Sequence, residues 1–229
     1  MENNIYMTEQ GLELINDSNY PYPVVEFLNE ERKYLQSVIG HYDVLLEVGC
    51  MTGRHLAWAM KNNVYYMGVD VVEHYLVEAR KKACDLGMPL SKYKFVNWNA
   101  ESIDGVLNEY DLRKFNSNRI LIFFPFNCFG NISNISNVIN SLKKSGCHYL
   151  ISTYKTDEST SKSRLDYYKN CEYKSLSSRT NEEGVVFTSQ EGFKSVAYHP
   201  HWLKDLFNKA CLEFKACDFS SMGIMYANT

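Results

Sequence analysis

The chain has 229 residues, 45% of them hydrophobic, and a formal net charge of −3 at pH 7. These values are typical of a single globular domain with a substantial core, and they argue against a disordered chain or a strongly basic nucleic-acid-binding protein. The sequence has no apolar run of about eighteen residues, which a membrane span would need, and no signal-peptide layout at its N-terminus. We therefore expect a cytoplasmic monomer or homodimer with neither nucleic acid nor membrane as a partner.

The cysteine and tyrosine contents give further information about the kind of site that the protein can contain. The seven cysteines are odd in number and form no C-x-x-C pair, which favours reduced thiols and argues against a zinc site. We expect no metal. The 17 tyrosines contribute to the core, and their excess also suits a pocket that packs aromatic rings against a ligand.

Helical and strand patterns alternate from residue 24 to residue 153. The spacing of apolar residues predicts a first helix over 24–39, which follows Pro21 and Pro23 and ends at Gly40. Buried strands are then predicted at 43–48, 64–69, 93–97, 119–124 and 147–153. Helices are predicted between them at 53–61, 72–86, 101–110 and 132–144. This alternation indicates a parallel sheet with helices on both faces.

The alternation lapses over residues 154–198. Residues 154–183 are polar and predict irregular structure, whereas 185–189 and 193–198 flank a Gln-Glu-Gly turn and predict a hairpin. A helix is predicted after Pro200, followed by two strand-like runs at 211–219 and 224–228. We expect one domain, 1–229, with an N-terminal helical cap at 1–39 and an insertion at 154–198 that forms a substrate lid.

The most specific motif lies in residues 44–56, where an apolar strand is followed by Glu47, Gly49 and Gly53. The glycines allow backbone N–H groups to approach a ligand, and the next helix presents its positive N-terminus there. The pattern E-x-G-x-x-x-G resembles motif I of the class I S-adenosylmethionine-dependent methyltransferases, which is usually E-x-G-x-G-x-G. Met51 stands where the middle glycine usually lies. A dinucleotide-binding turn would have an apolar residue in place of Glu47, so an NAD-dependent oxidoreductase is a weaker alternative.

The resemblance implies a fold and a cofactor. The fold is α/β, a Rossmann-like doubly wound sheet of seven mostly parallel strands, with an antiparallel last strand supplied by a terminal hairpin and with the inserted lid segment. The cofactor is S-adenosyl-L-methionine, which leaves as S-adenosyl-L-homocysteine. The resemblance is closest to methyltransferases of small molecules, including natural-product tailoring enzymes.

Two acidic or amide positions after strands extend the cofactor prediction. Asp70 follows the second strand and is expected to bind the ribose hydroxyls; the alternative is a helix N-cap. Asn99 follows the third strand, where family members often have an acid that contacts the adenine, and Arg54 could pair with the methionine carboxylate. His55 is expected to hydrogen-bond in the core and not to act as a base. The full predicted cofactor set is Glu47, Gly49, Cys50, Met51, Gly53, Arg54, Asp70, Val71, Asn99, Ala100 and Phe124.

The acceptor site is predicted around the loop that follows the fourth strand, residues 123–131, because ligands lie at the carboxyl ends of strands in open α/β sheets. Asn127 could orient the acceptor or only satisfy the turn backbone. His199 could act as the general base or cap a helix, and Tyr154 completes the predicted catalytic set. The predicted substrate contacts are Tyr20, Tyr22, Phe126 and Tyr168. For each of these residues, the alternative is a role in packing alone.

The sequence therefore predicts a methyltransferase that transfers a methyl group from S-adenosylmethionine to an oxygen or nitrogen of a small molecule in specialised metabolism. The reaction is an in-line displacement that depends mainly on positioning in a dry pocket, with a base added where the acceptor carries a proton. A non-catalytic protein that binds the cofactor or serves as a scaffold is the alternative from a different class.

Overall fold

The computed structural model describes residues 5–228, and a seven-stranded sheet lies at its centre. The strands within the described residues are β1 (Val44–Val48), β2 (Tyr65–Asp70), β3 (Tyr93–Asn97), β4 (Ile120–Phe124), β5 (His148–Tyr154), β6 (Ser177–Thr180), β7 (Gly184–Thr188), β8 (Lys194–Tyr198), β9 (Lys215–Asp218) and β10 (Gly223–Ala227). The α-helices are α1 (Glu9–Glu13), α2 (Tyr22–Val38), α3 (Leu56–Lys61), α4 (Glu73–Asp85), α5 (Ile103–Glu109), α6 (Ile135–Ser145), α7 (Glu158–Asn170) and α8 (Pro200–Lys209). Within residues 5–228, no helix is long and apolar enough to cross a membrane.

The strand order of the central sheet is β3-β2-β1-β4-β5-β10-β9. β1 pairs in parallel with β2 and β4, so that Glu47 lies between Gly68 and Phe123. β10 is antiparallel to both of its neighbours, β5 and β9. This topology confirms the predicted Rossmann-like fold, with mostly parallel strands and an antiparallel last strand in the chain.

Two apolar clusters cover the two faces of the sheet. Val44, Leu46 and Val48 of β1 belong to the cluster under α5, α6 and α8, whereas Leu45 belongs to the cluster under α2, α3 and α4. Successive residues of a strand point to opposite faces, so a strand buried on both sides must be apolar almost throughout. Glu47 is an exception to this rule, because it is fully buried in β1 although its side chain is an acid.

The insertion is more regular than its sequence predicts. Residues 158–170 form helix α7, and β6, β7 and β8 form a separate three-stranded antiparallel sheet. The prediction of irregular structure over 154–183 was therefore wrong, although the hairpin prediction agrees with β7 and β8. Asp157 caps α7 by accepting the Thr160 N–H at 2.8 Å.

The buried face of α7 explains why the helix was missed. Its buried residues have the spacing of a helical stripe, but they are Thr160, Arg164, Tyr167 and Tyr168. None of them is aliphatic, so the helix has no conventional apolar periodicity.

The N-terminal segment packs against this insertion. The hydroxyl of Tyr167 donates to the Leu14 carbonyl at 2.6 Å, and the hydroxyl of Tyr173 donates to the Gln10 carbonyl at 3.3 Å. A third apolar cluster joins both segments to the start of α2 through Phe27. We refer to residues 5–20 and 154–198 together as the cap.

Candidate cofactor and acceptor site

A cavity of about 1380 Å³ lies at the carboxyl ends of the central strands. The loops after β1, β2, β3 and β4 form one side of it, and the cap and α2 form the other. Nearly all predicted site residues line it: Glu47, Gly49, Cys50, Met51, Arg54, Asp70, Val71, Asn99, Ala100, Phe126, Asn127, Tyr20, Tyr154 and Tyr168. The structure therefore brings the predicted cofactor and acceptor residues together around one space.

The loop after β1 is held by backbone hydrogen bonds. The N–H groups of Gly49 and Cys50 both donate to the Val69 carbonyl, at 2.8 and 3.1 Å. Gly49 has a φ of +69° and no room for a Cβ, which would overlap the Sγ atom of Cys128 in the loop after β4. A glycine is therefore required where these two loops meet.

Asp70 fixes the shape of the same loop. Its Oδ2 accepts the N–H of Met51 at 2.9 Å, and its Oδ1 accepts the N–H of Val72 at 2.9 Å. Met51 adopts a φ of +47°, a left-handed conformation that usually favours glycine. Burial raises the pKa of the Asp70 carboxyl and outweighs these backbone hydrogen bonds, which act to lower it. Each carboxylate oxygen has a further lone pair, so Asp70 can hold the loop and still accept from a ligand hydroxyl.

Glu47 lies at the centre of a buried polar cluster. Its carboxylate accepts from His55 Nδ1 at 2.8 Å and from the Tyr66 hydroxyl at 2.5 Å. Burial and the nearby charge of Glu47 raise the pKa of Tyr66, which keeps its hydroxyl protonated as a donor. His55 thus hydrogen-bonds in the core, as the sequence predicts, and both it and Glu47 line the cavity floor.

The residues after β2 and β3 form a second wall. Val71 is exposed, Ala100 is buried, and both line the cavity. The Asn99 side chain accepts the Glu101 N–H at 2.9 Å, which leaves its NH₂ group as the available donor. Trp98 packs over Gly105 and donates its Nε1–H to the Ser102 carbonyl.

Arg54 links the cofactor loop to the cap. Its Nη2 donates to the Tyr20 hydroxyl at 3.0 Å, and its guanidinium lies 4.8 Å from the centre of the Phe126 ring. Tyr20 in turn packs edge-on against Phe126 and Tyr167, with ring centres 5.8 and 5.7 Å apart. The Arg54 side chain therefore connects the cofactor loop with both the loop after β4 and the N-terminal segment.

Four predicted site residues do not lie on the cavity wall. Gly53 has a φ of +75° but presents its carbonyl to Lys82 Nζ at 2.9 Å, and Phe124 is fully buried in the core. Tyr22 is 79% exposed at the start of α2. His199 precedes α8, where its Nδ1 lies 3.1 Å from the Thr156 hydroxyl and its ring stacks on His201. His199 is therefore not among the residues that line the cavity with the other predicted site residues.

Asn127 and Tyr154 are engaged with the protein itself. The Asn127 amide oxygen accepts from the Thr153 hydroxyl, and its NH₂ group donates to Ser195 Oγ at 3.0 Å. This arrangement favours the alternative in which Asn127 stabilises the turn and ties β5 to β8. Burial raises the pKa of Tyr154 well above that of a free tyrosine, so its hydroxyl stays protonated.

Glu31 of α2 is a candidate that the sequence analysis missed. It is 1% exposed and lines the cavity beside the loop after β4. Its Oε2 accepts the Phe126 N–H at 2.7 Å and also accepts from the Ser152 hydroxyl. The sequence contained a signal for this residue, because a charged side chain falls on the buried stripe of α2, which consists of Val24, Phe27, Glu31 and Leu35.

Comparisons with known proteins agree with this geometry. The model of the family described as "Methyltransferase domain" matches residues 41–220. A search of curated proteins finds no match. Among solved structures, a SAM-dependent methyltransferase from Aquifex aeolicus is similar over 96% of this chain and 97% of its own, with a TM-score of 0.59 and 14% identity. The CcbJ methyltransferase from Streptomyces caelestis is similar over 93% and 97%, with a TM-score of 0.60 and 16% identity.

A third structure contains both ligands of its reaction. It is the 1,6-didemethyltoxoflavin-N1-methyltransferase of Burkholderia thailandensis, bound to 1,6-didemethyltoxoflavin and S-adenosylhomocysteine. It is similar over 87% of this chain and 76% of its own, with a TM-score of 0.56 and 13% identity.

The sheet order, the glycine-containing loop and the acid after the second strand define a cofactor-binding α/β protein of the methyltransferase type. The chain belongs to the methyltransferase-domain family, and its cofactor is S-adenosylmethionine. The residues present fit this cofactor, because Asp70 and the backbone of the β1 loop border one continuous cavity with the amide of Asn99. Among residues 5–228, no cluster of three potential metal ligands occurs.

Proposed function

We propose that the protein transfers the methyl group of S-adenosylmethionine to an oxygen or nitrogen of a small molecule in a biosynthetic pathway of specialised metabolism. The observation that supports this most directly is the size of the cavity. Its volume of about 1380 Å³ exceeds the roughly 300–1,000 Å³ of a typical small-molecule site, which leaves room for an acceptor beside the cofactor. We further propose that the enzyme is cytoplasmic and acts as a monomer or homodimer.

At one end of the cavity, the backbone of the β1 loop and the carboxylate of Asp70 bind the cofactor. Asp70 accepts from the ribose hydroxyls, while the backbone of the β1 loop and the Asn99 side chain border the adenosine. Arg54 pairs with the methionine carboxylate. The cofactor supplies a methyl group already activated on a sulfonium, so the protein needs to position two ligands more than it needs to activate the donor.

The acceptor end excludes water with aromatic rings. Tyr20, Phe126, Tyr154 and Tyr168 line this part of the cavity, and their faces suit a planar or cationic acceptor. The cap serves as the substrate lid. The Burkholderia enzyme, whose name specifies N1 of 1,6-didemethyltoxoflavin as its methylation site, supports a small-molecule acceptor for this fold.

The test is a methyl-transfer screen. The protein is incubated with S-adenosylmethionine carrying a labelled methyl group and with a panel of phenols, carboxylic acids, amines and nitrogen heterocycles. We expect labelled product, detected by mass spectrometry, from at least one panel member. Label that appears only in added RNA or protein would contradict the proposal, and cofactor binding without any transfer would favour the non-catalytic alternative.

A further inference from the structure

Glu31 has three properties that a purely structural role for an acidic residue does not explain in combination. Its side chain is buried, it borders the cavity, and both of its hydrogen bonds in the described structure fall on one oxygen, Oε2. Burying a carboxylate is costly unless it is fully paired. A glutamine could accept the same Phe126 N–H and Ser152 hydroxyl without that cost, so the hydrogen bonds alone do not account for a charge at this position.

The group that Glu31 holds is the loop beside the acceptor. Phe126 and Asn127 both have left-handed backbone conformations, with φ values of +45° and +57°. Such conformations are unfavourable for most residues other than glycine, although asparagine tolerates them better than phenylalanine does. The Glu31 carboxylate stabilises the first of them by accepting the Phe126 N–H, and it lines the cavity together with Phe126, whose ring belongs to the acceptor wall.

We propose that Glu31 is the general base of the methyl transfer and takes the proton from an amine or hydroxyl acceptor. This inference rests on the proposed function. In the step, the acceptor lone pair forms a bond to the methyl carbon, and the carbon–sulfur bond breaks with its electron pair left on sulfur. The acceptor proton moves to the Glu31 carboxylate, from which solvent removes it after product release.

The electrostatics around Glu31 suit this role. Burial raises the pKa of its carboxyl above the ordinary value of 4.5, and outweighs its hydrogen bonds and the nearby charges of His55 and Arg54, which lower it. Arg54 and His55 are the charged and titratable side chains that face Glu31 from the β1 loop. A base is most effective when its pKa lies near the working pH, so the upward direction favours proton acceptance.

The position of Glu31 can be tested without knowing the acceptor. Sinefungin is a cofactor analogue in which a carbon bearing an amino group replaces the methylated sulfur, so its ammonium marks where the methyl group would be. We measure the dissociation constants of sinefungin and S-adenosylhomocysteine by calorimetry for wild type, Glu31→Gln and Glu30→Gln. Glu30 is the matched control, since it precedes Glu31 on α2 but lies towards solvent and pairs with Lys33 at 2.6 Å.

We expect wild type and Glu30→Gln to bind sinefungin about tenfold or more tightly than S-adenosylhomocysteine, because the ammonium of sinefungin gains a hydrogen bond to the charged Glu31 carboxylate. Glu31→Gln should lose this preference while retaining affinity for S-adenosylhomocysteine. The proposal would be overturned if Glu31→Gln kept the wild-type preference for sinefungin. It would also be overturned if wild type showed no such preference, or if both variants lost it. Failure of wild type to bind either ligand would instead contradict the proposed function itself.

A pH series on the wild-type protein tests the same point without a variant that could misfold. A protonated Glu31 no longer attracts an ammonium, so the preference for sinefungin should fall with decreasing pH at a midpoint above 4.5, the ordinary value for glutamate. A preference that stays constant through this range would contradict the proposal.

Turnover provides the last comparison once the screen has identified an acceptor. Glu31→Gln should lower kcat by about 100-fold or more and remove the acid limb of the pH profile of kcat/KM, while the KM for the cofactor is unchanged. A purely structural role would leave the pH profile in place.

Discussion

The cofactor end of the cavity is held together mainly by backbone groups, whereas the cap above it is held by hydroxyls and aromatic rings. At the cofactor end, Asp70 fixes two backbone N–H groups, and Val69 accepts two more. In the cap, Tyr167 and Tyr173 donate to carbonyls of the N-terminal segment. The backbone-built end suits a cofactor of constant shape, and the ring-built end can be altered for a different acceptor without changing the loop.

The two regions also differ in how far apart their partners lie in the sequence. Met51 and Asp70 are 19 residues apart. Tyr167 and Leu14 are 153 residues apart, and Tyr173 and Gln10 are 163 apart. Contacts between residues that are close in the sequence produce a motif that can be recognised from their spacing. Contacts between distant segments produce no such motif.

The largest effect is expected from Asp70→Asn at the cofactor end. The amide keeps only one acceptor oxygen, so it must abandon one of the two loop N–H groups or the ribose. We expect the dissociation constant of S-adenosylhomocysteine to rise by about 100-fold, since a hydrogen bond to a charged group contributes about 1.5–3 kcal/mol. Isothermal titration calorimetry measures this directly.

The control for this change is Asp85→Asn at the exposed end of α4, which should leave the affinity unchanged. Unchanged affinity in Asp70→Asn would show that the acid only caps its loop and does not bind the cofactor.

The next effect is expected in the cap, from Arg164→Met. Arg164 is 0% exposed; its guanidinium donates to the carbonyls of Val185 and Ser195, at 3.2 and 2.9 Å, and lies over the rings of Tyr154 and Phe187. Methionine fills the space but removes the hydrogen bonds that Arg164 donates to those carbonyls. We expect the free energy of unfolding to fall by about 2 kcal/mol in chemical denaturation.

Measuring cofactor binding in the same variant tests whether the cap and the cofactor end are independent of each other. Affinity for S-adenosylhomocysteine should stay within about twofold, because sites without shared partners act independently. Arg179→Met, on an exposed strand of the same insertion, is the control and should be neutral. A large loss of cofactor affinity in Arg164→Met would mean that the cap and the cofactor loop form one unit.

The same contrast explains which features the sequence predicted. The parallel sheet and the cofactor loop could be predicted from apolar runs and from the spacing of Glu47, Gly49 and Asp70. Helix α7 was missed because its buried face is made of Thr, Arg and Tyr, and Glu31 was missed because a glutamate on an apolar stripe was read as part of an ordinary helix. Tyr22 and His199 were favoured for their chemistry, but no local pattern shows which way a side chain faces in three dimensions.

The smallest effect is expected from Met51→Gly in the cofactor loop. Glycine adopts the φ of +47° without strain, although it also has more freedom in the unfolded chain. We expect a net gain of about 0.5–1 kcal/mol in the free energy of unfolding, and affinity for S-adenosylhomocysteine within about twofold of wild type. The affinity should hold because Met51 acts there through its N–H, which Asp70 keeps in place.

The matched control is Asn63→Gly, between α3 and β2, where φ is +54° but the native residue is one that tolerates this conformation. Because asparagine is already well suited to a positive φ, the gain there should be smaller than at Met51. Equal gains at the two positions would show that Met51 carries no particular strain. A marked loss of cofactor affinity in Met51→Gly would show that its side chain, and not only its backbone, forms part of the cofactor site, and the distinction between a backbone-built end and a ring-built end would then fail at this residue.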